Sequence, residues 1–352
     1  MLGIVVTIDF HAHLAPFEPK APSFLRLLFD VEGYLERQEA AGIERTVLSY
    51  GISDIGEEPD ELGNARKQHD FLADLVSKHP GRFSALAGID FMGGEAWIAE
   101  AERALDAGLA GICLPSSSGG RYPDGPEAQD LLALADERRV VVFLHPSDTP
   151  FGIDRVGDPT LGNWIGRPSD TGICLSRMLL ADTLAQYPNI SLVVAHGGGV
   201  LPMLLGRLDW VYDGMQRRAE MFAGGGPPGG GPPGDGPPGG GPPGGGGPPP
   251  GHGPAAEIPE DQKLKASLDG RKPSERIDQL YLDTATYHPA AVRASIETVG
   301  VDRLVVGTDH PPVGDDPLSA LSVLDEVGLS EDEIERVKSG NARKLLGVGA
   351  TA

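Results

Sequence analysis

Residues 140–146 read VVVFLHP, and this stretch decides the fold. It is a short apolar run of β-branched and aromatic residues, which is typical of a buried strand. A helical pattern beginning at Pro126 precedes it, and a second helical pattern, residues 173–187, follows it. Proline at the first position of a helix is favoured because its missing N–H has no partner there. A strand between two helices is the repeating unit of a parallel sheet.

The same alternation extends in both directions along the chain. It predicts eight strands, at residues 4–10, 46–51, 83–91, 111–115, 140–146, 190–198, 280–286 and 303–311. Helical patterns lie between them, and two closing helices are predicted near residues 318–327 and 331–346. Eight β/α units predict an α/β fold closed into a (β/α)₈ TIM barrel. No Gly-rich GxGxxG turn follows the first strand, which argues against a dinucleotide-binding fold.

One segment accounts for the unusual glycine and proline content. Residues 224–254 repeat a GGGPP unit and contain 17 Gly and 12 Pro in 31 residues. Such a segment has no apolar side chains to bury, so we expect a disordered loop. It falls between the sixth β/α unit and strand seven. We therefore expect residues 1–352 to form a single barrel domain that contains this Gly/Pro-rich insertion.

The overall composition excludes several classes of partner. The chain has 29 Lys and Arg against 51 Asp and Glu, a net charge of −22. This charge argues against nucleic acid and against anionic membrane surfaces. Two cysteines are too few for a disulfide scaffold or a Cys-based zinc finger, and they indicate a reduced, cytoplasmic protein. No run of 18 apolar residues is present to span a membrane.

Polar residues cluster where the first predicted strand ends. The sequence there is Asp9-Phe10-His11-Ala12-His13. Residues two apart on a strand point the same way, so His11 and His13 are expected on one face, with Asp9 beside them. In a TIM barrel the functional site lies at the carboxyl ends of the strands. This end of the chain therefore contributes a pair of imidazoles to the expected site.

Three other strands end in the same chemistry. His145 ends the fifth, His196 ends the sixth before three glycines, and Asp309 ends the eighth. Neutral imidazole and carboxylate are suitable ligands for zinc or another first-row metal. Three histidines and one aspartate suit a mononuclear site with an open position for water or substrate. The joint pattern on strands one, five, six and eight predicts a metal centre.

These motifs resemble a known family. IDFHAHLAP (8–16), FLHP (143–146), AHGGGVLPMLLGRLD (195–209), YLDTATYHP (281–289) and GTDHP (307–311) are similar to the amidohydrolase superfamily, and most similar to its decarboxylase-like branch. The resemblance covers nearly the whole chain apart from residues 224–254. It implies a metal-dependent enzyme that acts on a small carboxylic acid. Relatives in this branch form dimers or tetramers, so it also implies a homodimer or homotetramer.

The resemblance implies a role for each strand-end residue. His11, His13, His145 and Asp309 match the metal ligands, and His196 matches the histidine that acts on the metal-bound water. The His-x-His pair favours one Zn²⁺ per chain, with Mn²⁺ as the alternative. No lysine follows the fourth strand (GICLPSSSGG), which argues against a binuclear site with a carbamylated lysine.

Two reactions fit this constellation. The first is non-oxidative decarboxylation of an unsaturated or aromatic carboxylic acid, through a metal-bound water and His196, with Asp309 as a proton shuttle. The metal would lower the pKa of its water to about 7. The alternative is a hydrolase or hydratase acting on a lactone, an amide or a C=C bond. A rival outside these classes is a catalytically silent protein that presents residues 224–254 to a binding partner.

A carboxylic acid substrate requires a local cation, because the net charge repels anions. Arg167 and Trp164 lie in the loop after the fifth strand, and Arg207 follows His196 in the GRLD stretch. We predict these three as substrate-binding residues.

The remaining polar residues receive structural interpretations. Asp283 is expected to form hydrogen bonds inside the barrel mouth, and His310 is expected to pack away from Asp309. His69 and His288 lie on predicted helices or near their ends, and we interpret them as surface or capping residues.

Overall fold

The computed structural model describes residues 6–16, 23–49, 60–147, 150–152, 157–223, 259–312 and 316–348. Within these residues, eight parallel strands pair in chain order from β1 to β8. Their bounds are β1 Thr7–Ala12, β2 Ile43–Leu48, β3 Phe83–Gly88, β4 Gly111–Pro115, β5 Val141–His145, β6 Ser191–Val194, β7 Leu280–Asp283 and β8 Leu304–Val305. This order confirms the predicted (β/α)₈ barrel.

The barrel closes between its first and last strands. The N–H of Phe10 donates to the Val306 carbonyl at 2.7 Å, and the N–H of Asp309 donates to the His11 carbonyl at 2.7 Å. Isolated bridges also pair Ala12 with His310. The residues that follow β8 are therefore bonded directly to the residues at the end of β1, which brings the two ends of the barrel sequence together.

Helices connect the strands. They are α1 Val31–Ala40, α2 Glu61–Lys78, α3 Glu95–Asp106, α4 Gln129–Arg138, α5 Pro159–Leu161, α6 Arg167–Ala181, α7 Leu201–Ala223, α8 Pro289–Val299, α9 Pro317–Leu321, α10 Glu331–Glu335 and α11 Asn341–Leu346. The predicted helix at 331–346 is present as α10 and α11 joined by a π-helical turn, Arg336–Gly340. Ser330 caps the first turn of this helix, because its side chain accepts from the N–H of Glu333.

Two apolar layers hold the barrel together. The outer layer lies between strands and helices and includes Leu48, Leu72 of α2 and Val292 of α8, all fully buried. The inner layer fills the barrel and includes Phe10 and Phe143, whose ring centroids are 6.4 Å apart. A filled interior leaves the strand ends as the place for a polar site.

Along the chain, the Gly/Pro-rich segment falls between α7 and β7. Helix α7 ends at Ala223, and the described chain resumes at residue 259, ahead of β7. Residues 224–254 lie outside the described residues. Cys113 and Cys174 are both free and buried. Among the described helices, none combines the length and the apolar character needed to cross a membrane.

Candidate metal centre at the barrel mouth

Four of the predicted residues meet at the carboxyl ends of the strands. His11 and His13 come from the end of β1, His145 is the last residue of β5, and Asp309 lies four residues beyond β8. All four are buried, and one ligand atom from each lies within 4.8 Å of the others. Together with His196, which follows β6, we call these residues the mouth cluster. The sequence pattern located every member.

The three histidines present lone pairs to a common centre. His11 Nδ1 is bonded to Asp283 Oδ2 at 2.6 Å, and His13 Nδ1 to the Ser49 carbonyl at 3.1 Å. His145 Nδ1 lies 3.2 Å from the Pro146 carbonyl. These oxygens only accept, so each Nδ1 carries the proton in the neutral ring and each Nε2 carries a lone pair.

The arrangement around Asp309 fits a cation. His13 Nε2 and His11 Nε2 lie 3.1 Å and 3.4 Å from Asp309 Oδ1. The Nε2 atom of His11 is buried and has no hydrogen-bond partner. A lone pair and a carboxylate oxygen that face each other inside a protein repel unless a positive charge lies between them. Three imidazole nitrogens and one carboxylate therefore form a site for a divalent metal ion.

Electrostatics favour the metal-binding states of His11, His145 and Asp309. Burial lowers the pKa of His11 and outweighs the opposing carboxylates of Asp309 and Asp283. Burial also lowers the pKa of His145 well below its ordinary value, and His13, His11 and Arg167 lower it further. The pKa of Asp309 is held well below its ordinary value because His11, His13 and His196, when a proton sits on the ring nitrogen that faces this carboxylate, outweigh the effect of burial. The site thus favours neutral imidazoles at His11 and His145 and an ionised carboxylate at Asp309.

His196 occupies a different position from the other histidines. Its Nε2 lies 3.0 Å from Asp309 Oδ2, the carboxylate oxygen that His11 and His13 do not contact. Burial favours its neutral form, but the bond to Asp309 and the nearby charges of Asp309 and Asp283 raise its pKa. His196 therefore holds a proton more readily than His11 or His145 does.

The glycines after His196 are required by close packing. Gly199 has φ +61°, and a Cβ there would lie 2.2 Å from the Pro168 carbonyl oxygen. The N–H of Val200 donates to that same oxygen at 3.3 Å. Because Pro168 is the second residue of α6, the loop that carries His196 is fixed against the start of this helix.

Asp283 positions two members of the mouth cluster, His11 and His196, through hydrogen bonds. It is fully buried and accepts from His11 Nδ1, from the N–H of Gly197 at 2.9 Å and from the N–H of Ala285 at 3.1 Å. It thereby sets the ring orientation of His11 and the backbone beside His196. The predicted hydrogen-bonding role inside the mouth is confirmed. Its specific partners depend on tertiary structure that strand patterns do not give.

The expectation that the Asp9 side chain shares a face of β1 with His11 and His13 is wrong. The register between β1 and β2 shifts between Asp9 and Ala12, as it does at a β-bulge. Phe10 and His11 consequently both contact Phe143, and the simple alternation of faces is lost. The Asp9 carboxylate instead accepts from the N–H and the hydroxyl of Thr308, at 3.0 and 2.6 Å.

The predicted substrate-binding residues lie in different surroundings. Arg167 is the first residue of α6, and its charge disfavours protonation of both His145 and His196, so it lies close to the mouth. Trp164 lies in the π-helical turn before α6, with 70% of its surface exposed. Arg207 is exposed on α7. Their contacts with a substrate remain predictions.

The barrel and its strand-end donors define a class, the metal-binding (β/α)₈ proteins. Comparison with known families gives the particular one: a family model described as Amidohydrolase matches residues 8–348. The chain belongs to this amidohydrolase family, which confirms the resemblance seen in its motifs.

The chain is also similar to curated decarboxylases. It is 25% identical over 292 residues to 2-amino-3-carboxymuconate-6-semialdehyde decarboxylase of Dictyostelium discoideum, covering 82% of this chain and 68% of that protein. It is 26% identical over 201 residues to gamma-resorcylate decarboxylase of Rhodococcus jostii, covering 52% and 61%. The chain thus spans about three fifths to two thirds of the length of these two relatives.

Solved structures share the fold. The 5-carboxyvanillate decarboxylase of Sphingomonas paucimobilis has a TM-score of 0.74 at 20% identity, with 98% of this chain and 100% of that chain covered. A dihydroxybenzoic acid decarboxylase of Polaromonas, solved with bound manganese and the inhibitor 2-nitroresorcinol, has a TM-score of 0.71 at 21% identity, with 97% of each chain covered. These likenesses confirm the architecture of the whole barrel.

Proposed function

We propose that this chain is a metal-dependent carboxy-lyase that releases carbon dioxide from a small unsaturated or aromatic carboxylic acid. The observation that carries the proposal is the shared use of Asp309. One of its oxygens faces the imidazoles of His11 and His13, and the other is bonded to His196. A metal-binding group and a proton-carrying group thus meet on one carboxylate. The relatives named as decarboxylases support this reaction class.

The donor set supports one divalent metal ion per chain, and we propose Zn²⁺. His11, His13, His145 and Asp309 would hold it. Three imidazoles and a carboxylate are common ligands of zinc, whereas manganese prefers sites richer in oxygen. Mn²⁺ is the alternative, because the Polaromonas relative was solved with manganese. When bound, the metal supplies a Lewis acid that draws electron density from an oxygen of the substrate.

The residues of the chain provide the proton and the orientation. His196, with its raised pKa, holds a proton on Nε2 against Asp309 Oδ2. It would deliver that proton to the substrate carbon that bears the carboxylate. The bond from this carbon to the carboxylate then breaks, its electron pair returns to the unsaturated system, and carbon dioxide leaves. A positioned acid of this kind contributes about 10²–10⁴ in rate.

We propose Arg167, Trp164 and Arg207 as substrate-binding residues. A guanidinium can hold a carboxylate through two parallel hydrogen bonds, and Arg167 has the clearest position for this role because its charge reaches His145 and His196. Arg167→Ala should raise KM for the acid at least tenfold, whereas Arg167→Lys should recover part of that loss. An unchanged KM in Arg167→Ala would remove Arg167 from the site.

We further propose a single-domain cytoplasmic protein that forms a homodimer or homotetramer. Two free, buried cysteines are consistent with a reducing compartment. Sedimentation equilibrium of the purified chain would give its oligomeric state. A deletion of residues 224–254 should leave turnover nearly normal, because long surface insertions cost little loop-closure entropy. A large loss of turnover would contradict the assignment of these residues as a tolerated loop.

The test of the proposed function combines metal content with product analysis. Purified protein should contain about one zinc or manganese per chain, which a chelator removes and added metal restores. The reloaded protein should release carbon dioxide from one or more members of a panel of unsaturated and aromatic carboxylic acids, with the chelated protein as the control. Products that gain water without losing carbon dioxide would replace the lyase with a hydrolase or hydratase. A folded protein that rejects both metals would overturn the proposal.

A further inference from the structure

Unusual backbone angles single out a residue beside the mouth cluster. The described non-glycine residues with positive φ include Arg139 and Asp182, which end helices α4 and α6. The others are His196, Tyr287 and Asp309, with φ of 54°, 55° and 52°. These three follow β6, β7 and β8. A left-handed conformation is rare for a bulky aromatic residue, and such strain concentrates at functional sites.

The hydroxyl of Tyr287 is fixed by a hydrogen bond, while the residue as a whole stays partly exposed. Its hydroxyl donates to the carbonyl of Thr308 at 3.1 Å. Thr308 is buried, is bonded to Asp9 and directly precedes Asp309. In spite of this anchor, 43% of Tyr287 is exposed. Tyr287 therefore links the segment after β7 to the segment after β8, and part of the residue stays open to solvent.

Electrostatics also locate the phenol beside the mouth cluster. Burial raises the pKa of Tyr287, and the carboxylates of Asp309, Asp283 and Asp9 raise it further. Such effects weaken with distance, so the phenol lies close to these groups. Its position agrees with the hydrogen bond to Thr308.

We propose that Tyr287 is a specificity-determining residue whose ring forms one wall of the substrate pocket. The open face would pack against the flat, unsaturated or aromatic body of the acid, while the hydroxyl stays anchored to Thr308. Aromatic surfaces gain from offset or edge contacts with other rings beyond the area they bury. The inference rests on the proposed function for the kind of substrate, but it concerns binding and does not require turnover.

A structural role alone does not explain a tyrosine here. Asparagine and glycine adopt positive φ at lower cost than an aromatic residue does. Tyr287 keeps a strained backbone and stays partly exposed, and neither feature stabilises the fold. A residue that is unfavourable for stability and lies at a site is expected where stability is exchanged for function.

The experiment measures binding of two acids that differ in flatness. Metal-loaded full-length protein is titrated calorimetrically with benzoate and with cyclohexanecarboxylate. The variants are Tyr287→Asn, which suits the backbone and removes the ring, and Tyr287→Phe, which keeps the ring and removes the hydroxyl. Phe71→Leu removes a ring from α2 on the outside of the barrel and serves as the matched control.

We expect the wild type to prefer benzoate. Tyr287→Asn should weaken benzoate binding about tenfold, as for loss of one aromatic contact. It should change cyclohexanecarboxylate binding less than threefold and should not lower the melting temperature. Tyr287→Phe and Phe71→Leu should keep the preference for benzoate.

Three results would overturn the inference. One is wild-type protein that binds benzoate no better than cyclohexanecarboxylate. Another is Tyr287→Asn with unchanged benzoate affinity. The third is Tyr287→Asn with a lower melting temperature and an equal loss of affinity for both acids, which would show a purely structural residue. Benzoate selectivity that depends on Tyr287, in a protein that releases no carbon dioxide from any acid, would support this wall and contradict only the proposed reaction.

Discussion

The barrel contains a second buried group of histidine and carboxylate, and it differs from the mouth cluster in its partners. We call Arg66, His69, Glu100 and Arg103, which lie on α2 and α3, the helix cluster. His69 Nδ1 contacts Glu100 at 2.6 Å, and its Nε2 lies 3.2 Å from the Gly88 carbonyl. Both oxygens of Glu100 also accept from Arg103 at 2.8 Å.

The comparison shows what distinguishes a binding site from a structural group of the same residue types. In the helix cluster, arginines supply the positive charge that the buried carboxylate needs. In the mouth cluster, the side-chain hydrogen bonds of Asp309 within the described residues are to histidine nitrogens, and His11 Nε2 has no hydrogen-bond partner there. The buried carboxylate of the helix cluster is neutralised by arginines of the chain, whereas the carboxylate of the mouth cluster needs an added cation.

The largest expected effect comes from removing the carboxylate of the mouth cluster. Asp309→Asn keeps the shape but loses the only anionic member of the proposed metal-binding set. Metal content should fall from about one ion per chain to near zero after dialysis, and carbon dioxide release should fall at least a thousandfold. Glu100→Gln makes the same kind of change in the helix cluster and should keep its metal. Full metal and full turnover in Asp309→Asn would refute the site.

The second prediction separates His196 from the metal-binding members. His196→Ala should keep the metal, because His11, His13, His145 and Asp309 remain. Turnover should drop by about 10²–10⁴, the contribution of a positioned general acid or base. Elemental analysis and a rate measurement on the same sample check both statements. Loss of the metal together with this side chain would show that His196 is a ligand.

The helix cluster should respond in stability instead of activity. Glu100→Gln replaces charged hydrogen bonds at a buried carboxylate, while Arg66 and Arg103 are about half exposed and so partly screened by solvent. We expect the free energy of unfolding to fall by about 1–3 kcal/mol. Urea unfolding followed by circular dichroism measures this change. An unchanged urea midpoint would contradict the structural role of the helix cluster.

The smallest predicted effect is a pH dependence of the difference in unfolding free energy between wild type and Glu100→Gln. Burial opposes ionisation of Glu100, but Arg103, His69 and Arg66 outweigh it and lower its pKa from 4.5 to about 2. A depressed folded-state pKa means that the unfolded chain binds more protons between these values. The stabilisation is fully present above pH 4.5 and is lost as the pH falls toward 2. The gap in urea midpoint between wild type and Glu100→Gln should narrow over this range, and a constant gap would contradict the assignment.

The fold and the metal-binding residues could be predicted from sequence patterns, because both depend on local periodicity. Parallel strands that alternate with helices place their carboxyl ends at one end of the barrel. His11, His145 and Asp309 could therefore be assigned to one site from the sequence alone. The face of Asp9 could not be predicted, since a register shift between β1 and β2 interrupts the alternation. A bulge depends on how two strands pair, and a single strand does not reveal it.

The histidines on helices show the same limit. His288 caps α8 as expected, accepting from the N–H of Ala290. The surface interpretation of His69 is wrong, because its ring is buried and bonded to Glu100. Its spacing from Ala65 and Leu72 places it on the inward stripe of α2, a signal that was present in the sequence. Its partner on α3 was not predictable, because no local rule pairs those two helices.

The closure of the barrel between β1 and β8 has a consequence for biosynthesis. His13 and Asp309 meet although 296 positions separate them along the chain. During synthesis the imidazoles of β1 therefore leave the ribosome long before the carboxylate that they face, and contacts between such distant residues are slow to form. A nascent chain that stops short of residue 309 offers only imidazoles, with no anion to complete the set. Metal loading by this donor set thus belongs to the finished polypeptide, after the last strand has joined the first.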